Sequence, residues 1–117
     1  MVDLNKSIAE ILKPFANVQA QFPSYENNDF PIITINEISN TSSCEIEHEE
    51  ISSEIVFQID IWDKSESLQS VNALAAKVSE AMHKKAFRRI IGRGFADESS
   101  LMRNMMQFKI EVLNITK

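Results

Sequence analysis

The sequence predicts an α+β domain, with a mainly antiparallel sheet of about four strands and two main helices packed on one face of it. Three observations support this prediction. Apolar residues recur with helical spacing near the start of the chain and again over residues 66–84. Between these segments, residues 54–62 alternate with a period of two, which is typical of a half-buried antiparallel strand. The resulting order of helix, strands, helix, strands favours α+β over an alternating parallel sheet.

Length and composition limit the class of protein. The chain has 117 residues, which suits a single domain over residues 1–117. Hydrophobic residues (44%) and charged residues (25%) occur in globular proportions, which excludes a low-complexity scaffold. No apolar run approaches the roughly 20 residues of a membrane span, and the start of the chain lacks an apolar signal region. The lone cysteine suits a reducing cytoplasm, and the net charge of −5 disfavours a general nucleic-acid binder.

The first third of the chain predicts a helix, a short strand, a loop and a longer strand. Asp3 can cap the helix, and Pro14 ends its regular hydrogen bonding. Residues 16–21 are interpreted as a short edge strand and the turn-rich residues 22–30 as a loop. β-Branched residues then favour a strand over 32–38. The apolar stripe of the helix consists of Leu4, Ile8, Ile11, Leu12 and Phe15.

The middle of the chain combines a polar segment with the clearest strand. Residues 39–44 are interpreted as a turn, within a polar loop over about 39–54 that we expect to be mobile. A continuous strand from residue 45 to 62 would span roughly 60 Å at about 3.3 Å per residue, too long for a compact domain of this size. We therefore expect a break, a bend or a projecting loop near residues 52–53. In the strand over 54–62, the residues expected to share one face are Ile55, Phe57, Ile59 and Ile61.

The second helix is predicted over residues 66–84. Ser65 or Ser67 is the expected N-cap, and Lys84 and Lys85 lie at the end where cations suit the helix dipole. The residues expected to face the sheet are Leu68, Val71, Leu74, Ala75, Val78 and Met82.

The last quarter of the chain predicts two further strands. The first covers residues 87–91 and is followed by an expected break at 92–94, interpreted as a flexible hairpin connection. Residues 97–100 are interpreted as a turn or a short helical start, and residues 103–115 as the final strand. Trp62 lies on the more polar side of the strongest strand, where we expect core burial, with an interface anchor as the alternative.

Catalytic, cofactor and metal sites have weak support in the sequence. Cys44 and His48 are four residues apart and are flanked by glutamates, but zinc sites need three or four ligands at recognisable spacing. The sequence has no Gly-x-Ser-x-Gly elbow, and residues 92–94 do not form a phosphate-binding loop. We therefore predict no enzyme, no cofactor and no metal. The preferred interpretation is a semi-buried thiol at Cys44 and an exposed imidazole at His48.

Charge is distributed unevenly along the chain. Residues 45–63 contain seven acidic residues and no Lys or Arg, whereas cations collect between Lys84 and Arg103. Three interpretations are open: solvated faces, head-to-tail self-association between an acidic and a basic edge, and contacts of the cations with DNA phosphates. The candidate interface residues are Glu45, Glu47, Glu49, Glu50, Glu54, Lys84, Lys85, Arg88, Arg89 and Arg93.

The run Val-Phe-Gln-Ile-Asp-Ile-Trp-Asp-Lys-Ser over residues 56–65 resembles the QIDIW-x-K strand of small tail completion proteins of long-tailed phages and prophages. These proteins are also described as tail-to-head joining or tail terminator proteins. Residues 22–23, 30–35 and 74–82 resemble segments of that family in the same order, as do Phe87-Arg88 and residues 105–109. The resemblance covers roughly residues 18–112. One departure is Ala86, where relatives commonly have glycine, and another is the stretch 92–95.

The resemblance implies a structural protein of the virion tail without enzymatic activity. Family members assemble as a ring, typically a hexamer, at the head-proximal end of the tail, where they cap the tail tube and join it to the head. The implied partners are other copies of the chain, the tail tube protein and a head-completion or connector protein. DNA passes through the lumen without specific binding, and no membrane is involved. Assembly is expected in the host cytoplasm.

Two other hypotheses belong to different classes. The first is a small monomeric adaptor or regulatory protein-binding domain of phage origin, which would use the same sheet to bind one partner. The second is a small enzyme or metal protein, which requires a pocket and clustered ligands that the sequence does not offer.

Overall fold

The computed structural model describes residues 4–19, 30–47, 49–64 and 66–113. Within this part of the chain lie two helices and one five-stranded sheet, with the strand order β1-β2-β3-β5-β4. The predicted α+β class is confirmed, but the sheet has five strands and is mixed, because β1 and β2 are parallel. The elements are α1 (Leu4–Leu12), β1 (Asn17–Gln19), β2 (Ile32–Ile46), β3 (Glu49–Asp63), α2 (Gln69–Lys84), β4 (Arg88–Ala96) and β5 (Met102–Leu113).

The two helices lie on one face of the sheet, as predicted. They share one hydrophobic cluster with the strand residues of that face, and Phe57 of β3 and Phe108 of β5 are fully buried in it. These two residues are directly opposite each other in the register of β3 and β5. The Phe87 ring meets the Phe57 ring edge-on at 6.4 Å between centroids. The helix residues buried in the cluster are Ile8, Leu12, Val71, Ala75, Val78 and Met82.

The predicted ends of the helices are only partly correct. Asp3 and Ser65 lie outside the described residues, so their capping roles stay predictions. The expected cap at Ser67 is wrong, because Leu68 is the N-cap of α2 and makes no side-chain capping bond. The Ser67 hydroxyl instead accepts a long hydrogen bond of 3.4 Å from the Gln69 N–H. The predicted edge strand at 16–21 is confirmed over Asn17–Gln19 as β1, whereas residues 20 and 21 and most of the loop predicted over 22–30 lie outside the described residues.

The predictions of a polar turn at 39–44 and of a loop over 39–54 are wrong, because these residues belong to a long hairpin of β2 and β3. The break expected near residues 52–53 is also absent, since β3 runs unbroken from Glu49 to Asp63 and pairs along its length. Strands of this length fit because the molecule is elongated, with extents of 54 × 25 × 24 Å. Bulges at residues 38 and 43 of β2 and at residue 51 of β3 absorb the irregular register, and strand pairing satisfies the backbone groups of the polar residues.

The break expected at residues 92–94 is wrong as well, because β4 continues through both glycines to Ala96. Glycine has a packing role here, since a Cβ on Gly94 would collide with the Asn72 amide of α2. The connection between α2 and β4 passes through Ala86, whose φ of 70° lies in the left-handed region that glycine adopts more readily. The predicted turn at 97–100 is confirmed, with the Ser100 N–H bonded to the Asp97 carbonyl at 3.1 Å.

Candidate interaction surfaces

The acidic segment gathers at the far end of the β2–β3 hairpin. In the strand register Glu45 is opposite Glu50, and Glu49 is opposite Ile46, so these three glutamates lie at the last pairs before the turn. Glu47 lies in the turn itself with an exposed side chain and a φ of 51°. The hairpin end therefore carries four acidic residues in its sequence, and of these Glu47 has a described, exposed side chain.

Glu54 differs from the other predicted acidic interface residues. It lies further back along β3, and its carboxylate pairs with the Lys109 ammonium of β5 at 3.2 Å. Both side chains are about one-third exposed, so the pair is a local surface ion pair. The structure thus places Glu54 beside a cation of its own chain and outside the negative end of the hairpin.

The predicted basic residues lie together at the opposite edge of the sheet. Lys84 and Lys85 end α2, and the chain then enters β4 with Arg88, Arg89 and, further along, Arg93. All five side chains are exposed. Lys84 contacts Glu80 one helical turn away at 3.5 Å, an exposed pair of little energetic weight. We call the segment Arg88–Ala96 with these side chains the basic edge.

The acidic hairpin end and the basic edge cannot meet within one copy of the chain. Arg88 pairs with Lys109, which pairs with Val56, so the basic edge lies level with Val56 on β3. Glu50 is six positions further along that strand, a distance of about 20 Å at 3.3 Å per residue. The two regions are also separated across the sheet, because β3 and β5 lie between β2 and β4.

Arg103, grouped with the basic residues on sequence grounds, has a different role. Its Nε donates to Asp60 Oδ1 at 2.9 Å and its Nη1 to Asp97 Oδ1 at 3.2 Å. The guanidinium also lies over the Trp62 ring, 4.5 Å from the centroid. Its side chain is 21% exposed. Arg103 therefore belongs to an internal network and is not a candidate phosphate contact.

The run Gln-Ile-Asp-Ile-Trp of β3 builds this network. Gln58 donates to Asp60 Oδ2 at 2.9 Å, and the Trp62 indole donates to the Thr34 hydroxyl at 3.0 Å. Asp60 is 2% exposed, and both of its carboxylate oxygens accept hydrogen bonds, as a buried charge requires. The core burial predicted for Trp62 is confirmed at 3% exposure. Its neighbours Ile59 and Ile61 point to the helix face, so one strand supplies both the polar network and the core.

The pKa values follow from these contacts. Burial alone would raise the pKa of Asp97, but hydrogen bonds from the Ser99 hydroxyl and N–H and from Arg103 outweigh it and hold the pKa below its ordinary value of 3.8. Burial alone would lower the pKa of Arg103, but Asp60 and Asp97 raise it above the ordinary value. Both residues of the Arg103–Asp97 pair are therefore stabilised in their charged forms at neutral pH.

A shallow groove of about 280 Å³ lies between α2 and β4. Arg89 and Arg93 line it, and so does Asn104, which is 7% exposed. Asn104 Nδ2 donates to Asn72 Oδ1 at 2.9 Å, while its own Oδ1 is buried without a described partner. Sequence reasoning missed this groove; the one signal was an asparagine at a position of β5 where the alternation predicts an apolar residue.

The described residues show neither a metal-binding cluster nor a helix that could span a membrane. No group of three or more His, Cys, Asp or Glu side chains there is arranged to hold a metal ion. Cys44 lies on β2, but His48 falls in a gap between the described ranges, so the pairing of these two residues is not tested. Among the helices of the described ranges, neither is long and apolar enough to cross a bilayer.

The described residues thus form a small α+β domain with charged residues at one edge of its sheet and a buried polar network on one face. The chain matches the family described as tail completion protein gp17 over residues 6–114, and it belongs to this family of phage tail completion proteins. This confirms the family predicted from the QIDIW run. Membership places the protein in the virion tail, and the family is a structural one. A search of curated proteins gives no match.

Proposed function

We propose that the protein completes the phage tail by forming a ring, a hexamer, at the head-proximal end of the tail tube. There it caps the tube and provides the surface that joins the tail to the head. Its partners are other copies of itself, the tail tube protein and a head-completion or connector protein, and it needs no cofactor. DNA passes through the lumen without specific binding, and assembly takes place in the host cytoplasm.

The observation that carries this proposal is the separation of opposite charges on one copy. The acidic hairpin end and the basic edge are about 20 Å apart along the strands, so any contact between residues of these two regions joins two copies. Contact between two different surfaces of identical copies is head-to-tail, and such contacts close into a ring when the rotation permits. The family match over residues 6–114 independently supports a role at the tail.

The acidic hairpin end also supports the passage of DNA. The glutamates at positions 45, 47, 49 and 50 of the hairpin end would repel DNA phosphates if the hairpin faces the lumen and not a neighbouring copy. A hairpin of this kind directed into the lumen would limit adhesion of the duplex during its transit. The solvated-face interpretation predicts no effect of these glutamates on either assembly or DNA.

The test is charge reversal on the basic edge. The double variant Arg88→Glu/Arg89→Glu should reduce self-association and binding to purified tail tubes, measured by sedimentation velocity and co-sedimentation. The matched control is Lys13→Glu/Lys77→Glu, which changes the net charge equally at exposed positions outside the basic edge. Loss of assembly in the first variant alone supports the proposal. Equal assembly in both variants contradicts the assignment of the interface. A protein that stays monomeric and does not bind tail tubes favours the adaptor alternative.

A further inference from the structure

Both outer edges of the sheet are open over most of their length in the described residues. β4 pairs with β5 on one side only. At the other edge, β1 covers β2 only at Ile32–Thr34, so from Ile35 to Ile46 the outer side of β2 has no described partner strand. Open edges present rows of unpaired N–H and C=O groups that can pair with another chain.

The exposed large apolar side chains of the described residues lie on these same two edges. Ile38 and Ile46 are on the open part of β2, with exposures of 50% and 58%. Ile90 and Ile91 are on β4, with exposures of 50% and 45%. Proteins usually protect sheet edges with charges, proline or short strands, so isoleucines on both long edges indicate surfaces that become covered.

The register places complementary residues at the same height on the two edges. Glu37 pairs with Phe57, Phe57 with Phe108, and Phe108 with Arg89, so Glu37 and Arg89 occupy the ends of one row across the sheet. Both β2 and β4 have a register shift beside that row, between Glu37 and Ser39 and between Arg89 and Ile91. Each shifted position is an exposed isoleucine. The two edges therefore carry a bulged isoleucine beside a charge, and the charges are opposite.

Strand directions also match. β2 is antiparallel to β3, β3 to β5 and β5 to β4, so β2 and β4 run in opposite directions. Rotation of a second copy about an axis along the strands keeps those directions. β4 of one copy would then meet β2 of the next as an antiparallel pair, the arrangement that allows hydrogen bonds perpendicular to the strands.

We propose that the copies in the ring join by edge-to-edge strand pairing, with Arg88–Gly92 of β4 in one copy antiparallel to Ile35–Ser39 of β2 in the next, beyond the part of β2 that β1 covers. In this arrangement Arg89 of one copy lies opposite Glu37 of its neighbour, and Ile90 and Ile38 lie diagonally on either side of that row. The inference rests on the self-association of the proposed function and specifies its contact. A sheet continued around a closed ring covers this part of both edges, including Ile38, Ile90 and Ile91, whereas Ile46 lies outside the paired segment.

The first experiment is a charge swap. Arg89→Glu and Glu37→Arg should each weaken self-association about tenfold, because each replaces an opposite-charge pair by like charges across adjacent strands. The double variant Arg89→Glu/Glu37→Arg should restore it, and so should an equimolar mixture of the two single variants, since they can alternate around a ring. Lys77→Glu and Glu10→Arg, exposed residues of the two helices, are the matched controls. Circular dichroism and thermal melts check that each variant is folded.

The second experiment is disulfide trapping. Cys44→Ser removes the one cysteine of the chain, and Asn36→Cys/Ile91→Cys then places one thiol on each edge, at exposed positions that the proposed register sets directly opposite each other. Within a copy these positions are three strand spacings apart, about 14 Å, too far for a bridge, so any disulfide must join two copies. Oxidation should give a ladder of covalent multimers on a non-reducing gel. Ile46→Cys/Ile91→Cys, with one thiol near the hairpin end, should give none.

The outcomes separate this inference from the proposed function. A protein that self-associates but shows neither charge-swap rescue nor the ladder from the Asn36/Ile91 cysteine pair contradicts the edge pairing and leaves ring formation intact. A ladder from the Ile46/Ile91 cysteine pair in place of the Asn36/Ile91 pair overturns the register. A protein that remains monomeric at every concentration, alone and with tail tubes, contradicts the proposed function and this inference with it.

Discussion

Arg103 and Arg89 differ in environment although both are arginines on neighbouring strands of one sheet. Arg103 on β5 has carboxylates at two of its nitrogens and an aromatic ring beneath it. Arg89 on β4 is exposed, at an edge with no described strand beyond it. The difference arises from strand position, because an interior strand has neighbours on both sides that can supply partners. Arginines of interior strands therefore stabilise this fold, whereas those of the edge remain available for another molecule.

The largest expected effect is from Arg103→Ala. The substitution leaves the Asp60 carboxylate, which is 2% exposed, without its main counter-ion. Breaking a buried pair by removing one partner typically costs about 3 kcal/mol of unfolding free energy. Urea denaturation followed by circular dichroism measures the loss. The control is Arg88→Ala on the exposed edge, and equal stability of the two variants would contradict the structural role of Arg103.

A smaller effect is expected from the pH dependence of the Asp97 contact. The pKa of Asp97 is lowered in the folded protein, so its charged form contributes stability that is present above about pH 4 and is lost as the pH falls through the lowered pKa. Asp97→Asn should therefore be less stable than the parent at pH 7, and the difference should shrink towards pH 3. Urea midpoints at pH 7, 5 and 3 test this. A difference that is constant with pH would assign the effect of the substitution to packing alone. Arg103 stays charged over this range, as any arginine does, and its pKa is raised further by Asp60 and Asp97.

Local patterns were sufficient to predict the helices, the core face of β3 and the family. Period-two alternation identified Ile55, Phe57, Ile59 and Ile61 because burial on one face imposes that period directly. The hairpin was missed because its residues over 39–53 are polar. Such residues are held in strands by pairing with each other, a tertiary effect that intrinsic propensity does not report. The two glycines of β4 led to the prediction of a break, because glycine is usually unfavourable inside a strand. In the structure Gly94 allows the close approach of the Asn72 side chain.

The sequence predicted which segments carry the charged residues, but not which of those residues have partners within the chain. Charge counting located the acidic and basic segments but could not separate Arg103 from Arg89, since the partner of Arg103, Asp60, is 43 positions away along the chain. The polar side of the QIDIW run resembled a solvent face because Gln58 and Asp60 alternate with isoleucines. Only the register of β3 with β5 shows that this side is a buried network. The rows that align Glu37 with Arg89 likewise exist only in the assembled sheet.

Arg89→Ala is expected to have the smallest effect on the free energy of unfolding but a large effect on self-association. Together these two measurements test the contrast between an arginine of an interior strand and one of an edge strand. Arg89→Ala should change the unfolding free energy by no more than about 0.5 kcal/mol, because an exposed edge side chain makes few contacts that folding depends on. The same variant should weaken self-association in sedimentation velocity, since it removes the proposed contact with Glu37 of a neighbouring copy. A substantial loss of stability in Arg89→Ala would mean that the basic edge serves the fold of a single copy, and the distinction between the two arginines would then fail.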